Sequence, residues 1–315
     1  MKKILICIPK YSFFYNPLKK SFSQLGYKVY FTDYRHGDLL ARFIDCVFSK
    51  KVSKIYISLK IYLISVLIKP DIFLTIKGES LDLELIKKIS KRNIISVNWF
   101  PDPLNLWKTM VNIAPAYNYF FHFDPLIVRK LEKEGISNVY YLPFAAETFP
   151  KKEPIQYDIS FVGTYDKLRE KNLLCLRGFN LNIWGDKRWY KSKLKKFVRG
   201  ERVTPDEMHK IIKRSKINVN FHHSTTKEGS NLRTFQVTGC KAFLLTEYVK
   251  DLIKLFKVNK EIVCFKNLYE LKKLANYYLK RDSLREKIAH AGFTRVQKKH
   301  TYKIRLNQML QIINA

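Results

Sequence analysis

The sequence predicts an α/β fold with two parallel β-sheets, one in each half of the 315-residue chain. Three observations predict it. Short runs rich in Ile, Val, Phe and Tyr alternate with helical patterns from end to end. The runs are four to six residues long and lack strict alternation, which is typical of strands buried on both faces of a parallel sheet. A polar stretch with prolines and a lysine pair then separates two similar halves.

The first half repeats a strand–helix unit. Gly26 and Gly135 each follow a predicted helix, where glycine is favoured just beyond the C-cap. The second predicted helix is long, and we expect it to break near Lys51. The predicted strands are Ile4–Ile8, Lys28–Thr32, Ile72–Ile76, Ile94–Asn98, Tyr119–Phe123 and Val139–Leu142, and the helices are Pro17–Leu25, about Leu39–Ile68, Leu81–Ser90 and Pro125–Glu134.

The second half repeats the pattern and ends in a long helix, roughly Ser283 to Ile313, which we expect Gly292 to interrupt. The other helices begin at Lys167, at Pro205 after the cap Thr204 and near Asn231, or cover Leu268–Leu279. The predicted strands are Ile159–Val162, Leu181–Trp184, Ile217–Phe221, Ala242–Leu245 and Ile262–Phe265.

Two such halves predict two Rossmann-like domains with a cleft between them. We expect a first domain over residues 1–148, a linker over 149–156 and a second domain over 157–290. For the C-terminal helix, residues 291–315, a return to the first domain is one option.

The net charge is +32, from 59 Lys and Arg against 27 Asp and Glu. A charge this large acts on partners rather than on the fold, and nucleic acid, an anionic membrane surface or phosphorylated substrates would suit it. Lysine-rich coding in an AT-rich genome is the alternative explanation.

The five cysteines form no CxxC pair, so we expect a reduced cytosolic chain without a zinc site. The apolar region 55–76 is interrupted by Lys60 and by Lys69–Asp71. The eight uncharged residues between them, 61–68, are too few for a transmembrane helix, which needs about 20.

Polar residues at a predicted strand end form the first candidate site. Gly163 and Thr164 lead from a strand into a helix, and Arg169 follows. Backbone N–H groups at such a turn can hold phosphate, and arginine adds a bidentate donor. A plain turn that needs a positive φ at the glycine is the alternative.

A second group runs from Glu228 through Asn231 and Arg233 to Gln236. The positive end of a helix dipole would lie near Arg233, while Glu228 and Gln236 offer an acid and an amide to hydroxyl groups. A capped amphipathic helix with solvated polar residues is the alternative.

Asp102 lies between two prolines after the strand that ends at Asn98, where it could take a proton from an acceptor hydroxyl. His122 ends the next strand and is expected at the same sheet edge. An Asx turn and a structural histidine are the respective alternatives. His222 and His223 lack further ligands, so no metal site is expected.

The segment Asp186–Gly200 contains seven Lys and Arg with Trp189, Tyr190 and Phe197 between them. It could form a basic and aromatic surface for anionic lipid or nucleic acid. A solvated helix face is the alternative.

Taken in order, these motifs resemble the bacterial CgeB-like, spore-maturation type glycosyltransferases. The resemblance is firm from about 141 to 305 and looser before Lys69. It is carried by Asn98–Pro103, Tyr141–Glu147, Asp158–Tyr165 with Arg169, Ile183–Gly185, Ser215–His222, Asn231–Gln236 and Phe243–Glu247.

The resemblance implies a GT-B fold, with two Rossmann-like domains whose parallel sheets face a central cleft. It implies a metal-independent enzyme without cofactor that moves a sugar from a nucleoside-diphosphate sugar to an acceptor hydroxyl. The acceptor would be a polysaccharide, lipid-linked or protein-linked glycan of the cell surface. The implied donor-binding residues are Gly163, Thr164 and Arg169 near the phosphates, Arg233 on the diphosphate, Glu228 near the sugar, Gln236 near the ribose, and Gly185 and Asn231; Asp102 and His122 are the catalytic candidates.

Two residues depart from the family pattern. The family usually has Glu at the position of Gln236. It also tends to have Gly at the position of Lys241; a lysine there would add positive charge beside the site and would tolerate a positive φ poorly. A glycosyltransferase-like scaffold with impaired catalysis is therefore one alternative. A nucleic-acid-binding protein is the other, although no nucleic-acid signature is present and no nucleic-acid partner is expected. The expected location is the cytoplasm, with attachment to the anionic inner face of the membrane left open.

Overall fold

The structure is a computed structural model that describes residues 1–10, 12–35, 39–201 and 203–315. The chain forms two compact units, one of Met1–Pro143 with Tyr302–Ala315 and one of Phe144–Thr301. Each unit has its own six-stranded sheet. The segment 149–156, expected as a linker, lies within the second unit. The Phe149 N–H donates to the Gly239 carbonyl at 2.8 Å, and the Glu153 carboxylate pairs with Lys213 at 3.1 Å.

The first unit has a parallel sheet in the order β2-β1-β3-β4-β5-β6. Its inner strands are apolar and buried on both faces, as the residue pattern predicts; Ile4 to Cys7 are completely buried. The strands are β1 Lys3–Cys7, β2 Lys28–Thr32, β3 Ile72–Ile76, β4 Ile95–Phe100, β5 Tyr119–His122 and β6 Val139–Tyr141, and the helices are α1 Tyr15–Gln24, α2 Leu39–Val47, α3 Lys50–Ile68, α4 Leu83–Ser90, α5 Trp107–Ile113 and α6 Pro125–Lys133.

Local signals place most of these boundaries. Gly26 and Gly135 have φ of +84° and +81°, which confirms both as residues just beyond a helix C-cap. The long helix predicted over 39–68 is broken, as expected, close to Lys51. Ser49 starts α3 there, because its hydroxyl accepts the Val52 N–H at 3.3 Å.

The second unit has a parallel sheet in the order β12-β11-β10-β7-β8-β9. The sequence predicts each of these strands except β9, a three-residue edge strand too short to show a pattern. The strands are β7 Tyr157–Val162, β8 Leu181–Trp184, β9 Val198–Gly200, β10 Ser215–Asn220, β11 Leu244–Glu247 and β12 Val263–Phe265, and the helices are α7 Lys167–Leu173, α8 Pro205–Lys213, α9 Leu232–Gly239, α10 Leu252–Leu255, α11 Leu268–Leu279 and α12 Asp282–Lys299.

The last helix, α13, covers Tyr302–Ile313 and belongs to the first unit. The Tyr302 ring meets Phe14 edge-on at 6.3 Å, and the Tyr119 hydroxyl donates to the Ile313 carbonyl at 3.2 Å. Within the described ranges, no helix has the length and apolarity that crossing a bilayer requires.

Gly292 does not interrupt the C-terminal helix, contrary to expectation. It lies inside α12, and the break falls at His300 and Thr301 instead. A Cβ atom at Gly292 would overlap the Glu261 carbonyl oxygen. The glycine therefore serves close packing of α12 against backbone rather than helix termination.

Each sheet has one switch point, where chain connections leave neighbouring strands in opposite directions. These points lie between β1 and β3 in the first unit and between β7 and β10 in the second. In open parallel sheets, ligands bind outside the carboxyl ends of the strands at such points.

Gly292→Ala should destabilise the protein by about 1–3 kcal/mol, because the new methyl group meets a backbone oxygen that cannot rotate away. In a solvent-exposed helix, Gly→Ala would instead stabilise the protein by about 1 kcal/mol. A decrease in stability would therefore indicate close packing at Gly292. Urea unfolding measures the difference. Gly178→Ala is the matched control, since a Cβ atom there would have no neighbour within 4 Å, and it should change stability little.

Candidate functional site

The candidate donor site lies at the carboxyl ends of β7, β10 and β11 in the second unit. β7 leads into Gly163 and Thr164, β10 into the loop 221–231, and β11 ends at Glu247. The parallel pairing of β7 with β10 and of β10 with β11 brings these ends to one edge of the sheet. The elements that carry the predicted donor residues therefore meet at the switch point.

Gly163 and Gly185 serve packing at this edge. The Gly163 N–H donates to the Trp184 carbonyl at 2.9 Å, and its own carbonyl accepts the Trp189 indole N–H at 2.9 Å. A Cβ at Gly185 would overlap the Gly163 oxygen. The φ of Gly163 is not positive, so a turn that requires it is absent as well. Because its amide is occupied, Gly163 offers no N–H to a phosphate.

Backbone N–H groups in the first turn of α7 are likewise hydrogen-bonded within the protein. The Asp166 carboxylate accepts the N–H groups of Leu168 at 2.9 Å and Arg169 at 3.3 Å. An anion already caps this helix, so the expected phosphate site at its N-terminus is not supported.

Arg169 instead spans the space between β7 and β10. Its guanidinium donates to the Thr164 carbonyl at 3.0 Å and hydroxyl at 3.1 Å, and to the Phe221 carbonyl at 3.5 Å. Its Nε is buried and has no hydrogen-bond acceptor among the described residues. Burial lowers the pKa of this guanidinium, while the negative charges of Asp166 and Glu247 oppose that change.

Asn231 is the N-cap of α9, close to the predicted start of this helix. Its side-chain oxygen accepts the Thr234 N–H at 3.3 Å, and its amide group donates to the Phe221 carbonyl at 3.1 Å. The side-chain amides of Asn220 and Asn231 also bond to each other in both directions, at 3.0 and 3.1 Å. The cap therefore fixes the start of α9 against the end of β10.

Arg233 lies in the first turn of α9, and its guanidinium is desolvated by burial. The residue as a whole is half-buried, and its guanidinium contacts the Met208 sulfur on α8. Burial lowers the pKa of Arg233 to about 10, and the charge of Arg169 contributes to the decrease. Within the described part of the chain, no carboxylate forms an ion pair with Arg233. A desolvated cation without a counter-ion is costly, so this position favours an incoming anion.

Glu228 and Gln236 lie on either side of the α9 start. The Glu228 side chain is 19% exposed and lies 3.9 Å from the Lys250 ammonium. Gln236 is half-buried and follows Arg233 by three residues, so the two side chains share a face of α9.

Glu247 is a site residue to which the sequence assigns no role of its own, although it ends the motif Phe243–Glu247. His222 ends the motif Ser215–His222 and is expected not to bind a metal. The His222 N–H donates to the Glu247 carboxylate at 3.0 Å. Burial raises the pKa of Glu247, against the His222 N–H and the Arg169 charge. An acidic residue at the end of a buried strand was the available signal in the sequence.

Lys241 lies away from this edge, contrary to expectation. It follows the C-terminal end of α9 with φ of +55°, and eight helical residues span about 12 Å. It lines a separate cavity of about 620 Å³ with Lys213 and Ser215, at the amino end of β10. Its charge therefore does not act beside the donor residues.

In the first unit, Asp102 lines a cavity of about 510 Å³ at the switch point of the sheet. Its carboxylate lies 2.8 Å from the Lys77 ammonium and is 31% exposed. Lys77 follows β3 with φ of +68°, and the Asn98 amide donates to the Lys77 carbonyl at 2.9 Å. The geometry leaves an ion-paired carboxylate facing the cavity.

His122 is completely buried beneath this loop. One ring nitrogen accepts the Asp124 N–H at 2.9 Å, and the other lies 2.9 Å from the Asp102 carbonyl. Burial lowers the pKa of His122 to about 4, so the ring is neutral at pH 7. With both nitrogens occupied, His122 positions the Asp102 backbone and has no free atom for a substrate.

Among the residues that the structure describes, no group of three His, Cys, Asp or Glu side chains could hold a metal ion.

Residues 166–311, slightly under half of the chain, match a family model described as glycosyl transferase-like. No curated protein matches the sequence. Sucrose-phosphate synthase from Thermosynechococcus elongatus is similar in structure, with TM-score 0.75, 10% identity and coverage of 100% of this chain and 98% of that one.

Anabaena HepE in complex with UDP-glucose gives TM-score 0.72 at 10% identity, with both chains fully covered. The lipopolysaccharide outer core galactosyltransferase WaaB, in its apo form, gives 0.64 at 13% identity, with 98% of this chain and 99% of that one covered. These similarities confirm the predicted GT-B fold of two Rossmann-like α/β domains.

The buried neutral His122 should make stability fall as pH decreases. Its unfolded pKa is near 6.5 and its folded pKa about 4, so its contribution is fully present above pH 6.5 and declines down to pH 4. Between pH 6.5 and 5 the loss is on the order of 1–2 kcal/mol.

His122→Gln should reduce that decline, measured as the free energy of unfolding in urea at both pH values. The exposed His290→Gln is the control and should behave like the wild type. An unchanged slope in His122→Gln would contradict the assignment.

Proposed function

We propose that this chain is a glycosyltransferase that moves a sugar from a nucleoside-diphosphate sugar to an acceptor hydroxyl. The observation that carries the proposal is the pair of desolvated guanidiniums, Arg169 and Arg233, at the switch point of the second sheet. Burial lowers the pKa of each, and Arg233 has no carboxylate partner in the described residues. The family model over 166–311 supports the same reaction class.

A diphosphate would supply the missing negative charge. Arginine presents paired N–H donors that match phosphate oxygens. Arg169 is held in place by Thr164 and Phe221 oxygens, and Arg233 is carried at the positive end of α9. Both guanidiniums would therefore meet the diphosphate without a large rearrangement, which makes the pair a preorganised anion site.

The same pair would serve the chemical step. The bond from the anomeric carbon to the diphosphate oxygen breaks, and a bond from that carbon to the acceptor oxygen forms. The departing nucleoside diphosphate takes the bonding electrons, and its charge is met by Arg169 and Arg233. Cationic side chains can stabilise this leaving group without a metal ion, so we propose a metal-independent transferase.

Glu228 and Gln236 are proposed to contact the sugar and the ribose. Glu228 lies in the loop after β10, beside Lys250, and Gln236 lies on the Arg233 face of α9. HepE, which has a similar fold, forms a complex with UDP-glucose, and we propose a donor of this class here.

Asp102 is proposed as the group that takes the acceptor proton. It faces the cavity of the first unit, and the Lys77 ammonium orients its carboxylate. The acceptor is proposed to be a hydroxyl of a cell-surface glycan, in a polysaccharide or linked to lipid or protein. WaaB, a lipopolysaccharide outer core galactosyltransferase, has a similar fold, and the CgeB-like motifs support a bacterial enzyme of this kind.

The proposal is tested by thermal unfolding with UDP, GDP, dTDP, CMP and their sugars at two salt concentrations. A ligand at about 100 times its Kd stabilises the folded state by about 2.7 kcal/mol. One base should clearly exceed the others. No shift with any nucleotide, together with tight and salt-sensitive nucleic-acid binding, would overturn it.

Arg233→Met should weaken binding of the preferred nucleotide by about ten- to hundredfold, since a charge-assisted contact contributes about 1.5–3 kcal/mol. Without nucleotide, the same change should leave stability equal or raise it, because it removes a desolvated unpaired charge and keeps apolar volume. Calorimetric titration and urea unfolding measure the two effects. The exposed Arg177→Met is the control and should change neither.

Gln236→Glu should strengthen nucleotide binding by up to about tenfold, because a carboxylate makes stronger hydrogen bonds to a diol than an amide does. Titration with the preferred nucleotide measures this effect, and the 2′-deoxy form of that nucleotide is the control for ribose contact. Equal affinity in wild type and variant, with no sugar transfer or donor hydrolysis in either, would favour the non-catalytic scaffold.

A further inference from the structure

The first unit exposes an unusual amount of apolar surface on α2 and α3. Of the seventeen large apolar side chains exposed in the described residues, nine lie between positions 40 and 67. Scattered exposed apolar residues are ordinary, but a contiguous set marks an interaction site. The nine are Leu40, Phe43, Val47, Phe48, Val52, Ile55, Leu59, Leu63 and Leu67.

α3 is apolar on two opposite faces. Its inner face places Ile57 and Ile61 in the core of the first unit. Its outer face carries Ile55, Leu59 and Leu63, which are 60%, 54% and 50% exposed. An apolar helix face normally packs against another surface, so the outer face of α3 is a candidate surface for a partner.

The exposed residues form a stripe along α3. Val52, Ile55, Leu59, Leu63 and Leu67 are spaced by three or four residues and therefore lie along one side of the helix. The nineteen residues of α3 span about 28 Å. A stripe of this length on a helix too charged to cross a bilayer suits a helix lying in the plane of a membrane surface.

The charges around the stripe select the partner. Between positions 39 and 68 there are five basic residues and one acidic residue, Asp45. Lys51 and Lys60 flank the stripe on its two sides, by their positions on the helix. With a net charge of +32, two copies of the chain repel each other, whereas an anionic lipid surface attracts both the lysines and the chain as a whole.

We propose that α2 and α3 dock on an anionic lipid bilayer, with the outer stripe of α3 among the lipid acyl chains and the flanking lysines at the headgroups. This surface replaces the segment 186–200 as the candidate for lipid binding. In that segment Trp189 is completely buried and donates to the Gly163 carbonyl, so it cannot insert into lipid. The proposal does not depend on the proposed catalytic function.

Vesicle co-sedimentation tests the proposal with full-length protein. The vesicles are phosphatidylcholine alone or phosphatidylcholine mixed with phosphatidylglycerol, at low and high salt. The wild type should bind the mixed vesicles and bind less as salt increases, because anionic headgroups attract the lysines through a screened field. It should bind phosphatidylcholine alone much more weakly.

The Leu59→Ser, Leu63→Ser double variant should bind the mixed vesicles at least about tenfold more weakly, since each inserted leucine contributes through its buried apolar area. Both side chains are exposed, so the protein should keep its thermal unfolding temperature. The matched control is Ile253→Ser with Tyr269→Ser, which removes two exposed apolar side chains, 60% and 76% exposed, from the second unit. The control should bind like the wild type.

Leu59→Trp provides a second readout that does not rely on loss of binding. Its emission should shift to the blue with mixed vesicles, beyond any shift of the four native tryptophans measured in the wild type. Equal loss in the two double variants, or full binding by Leu59→Ser, Leu63→Ser, would overturn the proposal. The proposal would also be overturned if sedimentation velocity showed the wild type as a dimer and the Leu59→Ser, Leu63→Ser variant as a monomer, while the wild type did not bind vesicles.

Discussion

The candidate donor site depends on the paired side-chain amides of Asn220 and Asn231. Each donates to the other, at 3.0 and 3.1 Å, and Asn220 also donates to the Thr246 hydroxyl at 3.0 Å. These bonds tie the end of β10 to β11 and to the N-cap of α9. Because an unsatisfied buried amide is costly, the pair holds α9 in one position, and Arg233 is held with it.

Charge is used differently at the site and on the surface. Lys152 and Glu286, both exposed, pair at 3.0 Å on the surface, and such exposed pairs contribute little to stability. The Arg233 guanidinium is desolvated, and no carboxylate of the residues that the structure describes pairs with it. The fold tolerates this cost because packing between α8 and α9 and the Asn220 amide bonds stabilise the position. An anionic ligand would supply the negative charge that Arg233 lacks.

In the first unit, a buried polar side chain likewise fixes the loop that carries Asp102. His122 is neutral because burial opposes its protonation, and its two nitrogens connect the Asp124 N–H to the Asp102 carbonyl. The ring thus fixes the backbone of the loop while the Asp102 side chain stays at the cavity. The apolar outer face of α3 lies in the same unit, so lipid docking and acceptor binding would be functions of one domain.

The sequence by itself determined the α/β class, eleven of the twelve strands in the described residues and several caps, because buried parallel strands and capping residues leave local signals. It also made Arg169, Asn231 and Arg233 candidates, since polar residues between a predicted strand and a predicted helix are recognisable in the chain.

Only the tertiary structure decided which of these groups are free to act. Gly163, Gly185 and His122 are occupied by neighbours distant in sequence, Gly292 packs against the Glu261 backbone, and Lys241 lies at the far end of α9. The exposure of the α3 stripe is also a tertiary property, because an apolar residue pattern does not distinguish a helix face covered by protein from one left uncovered.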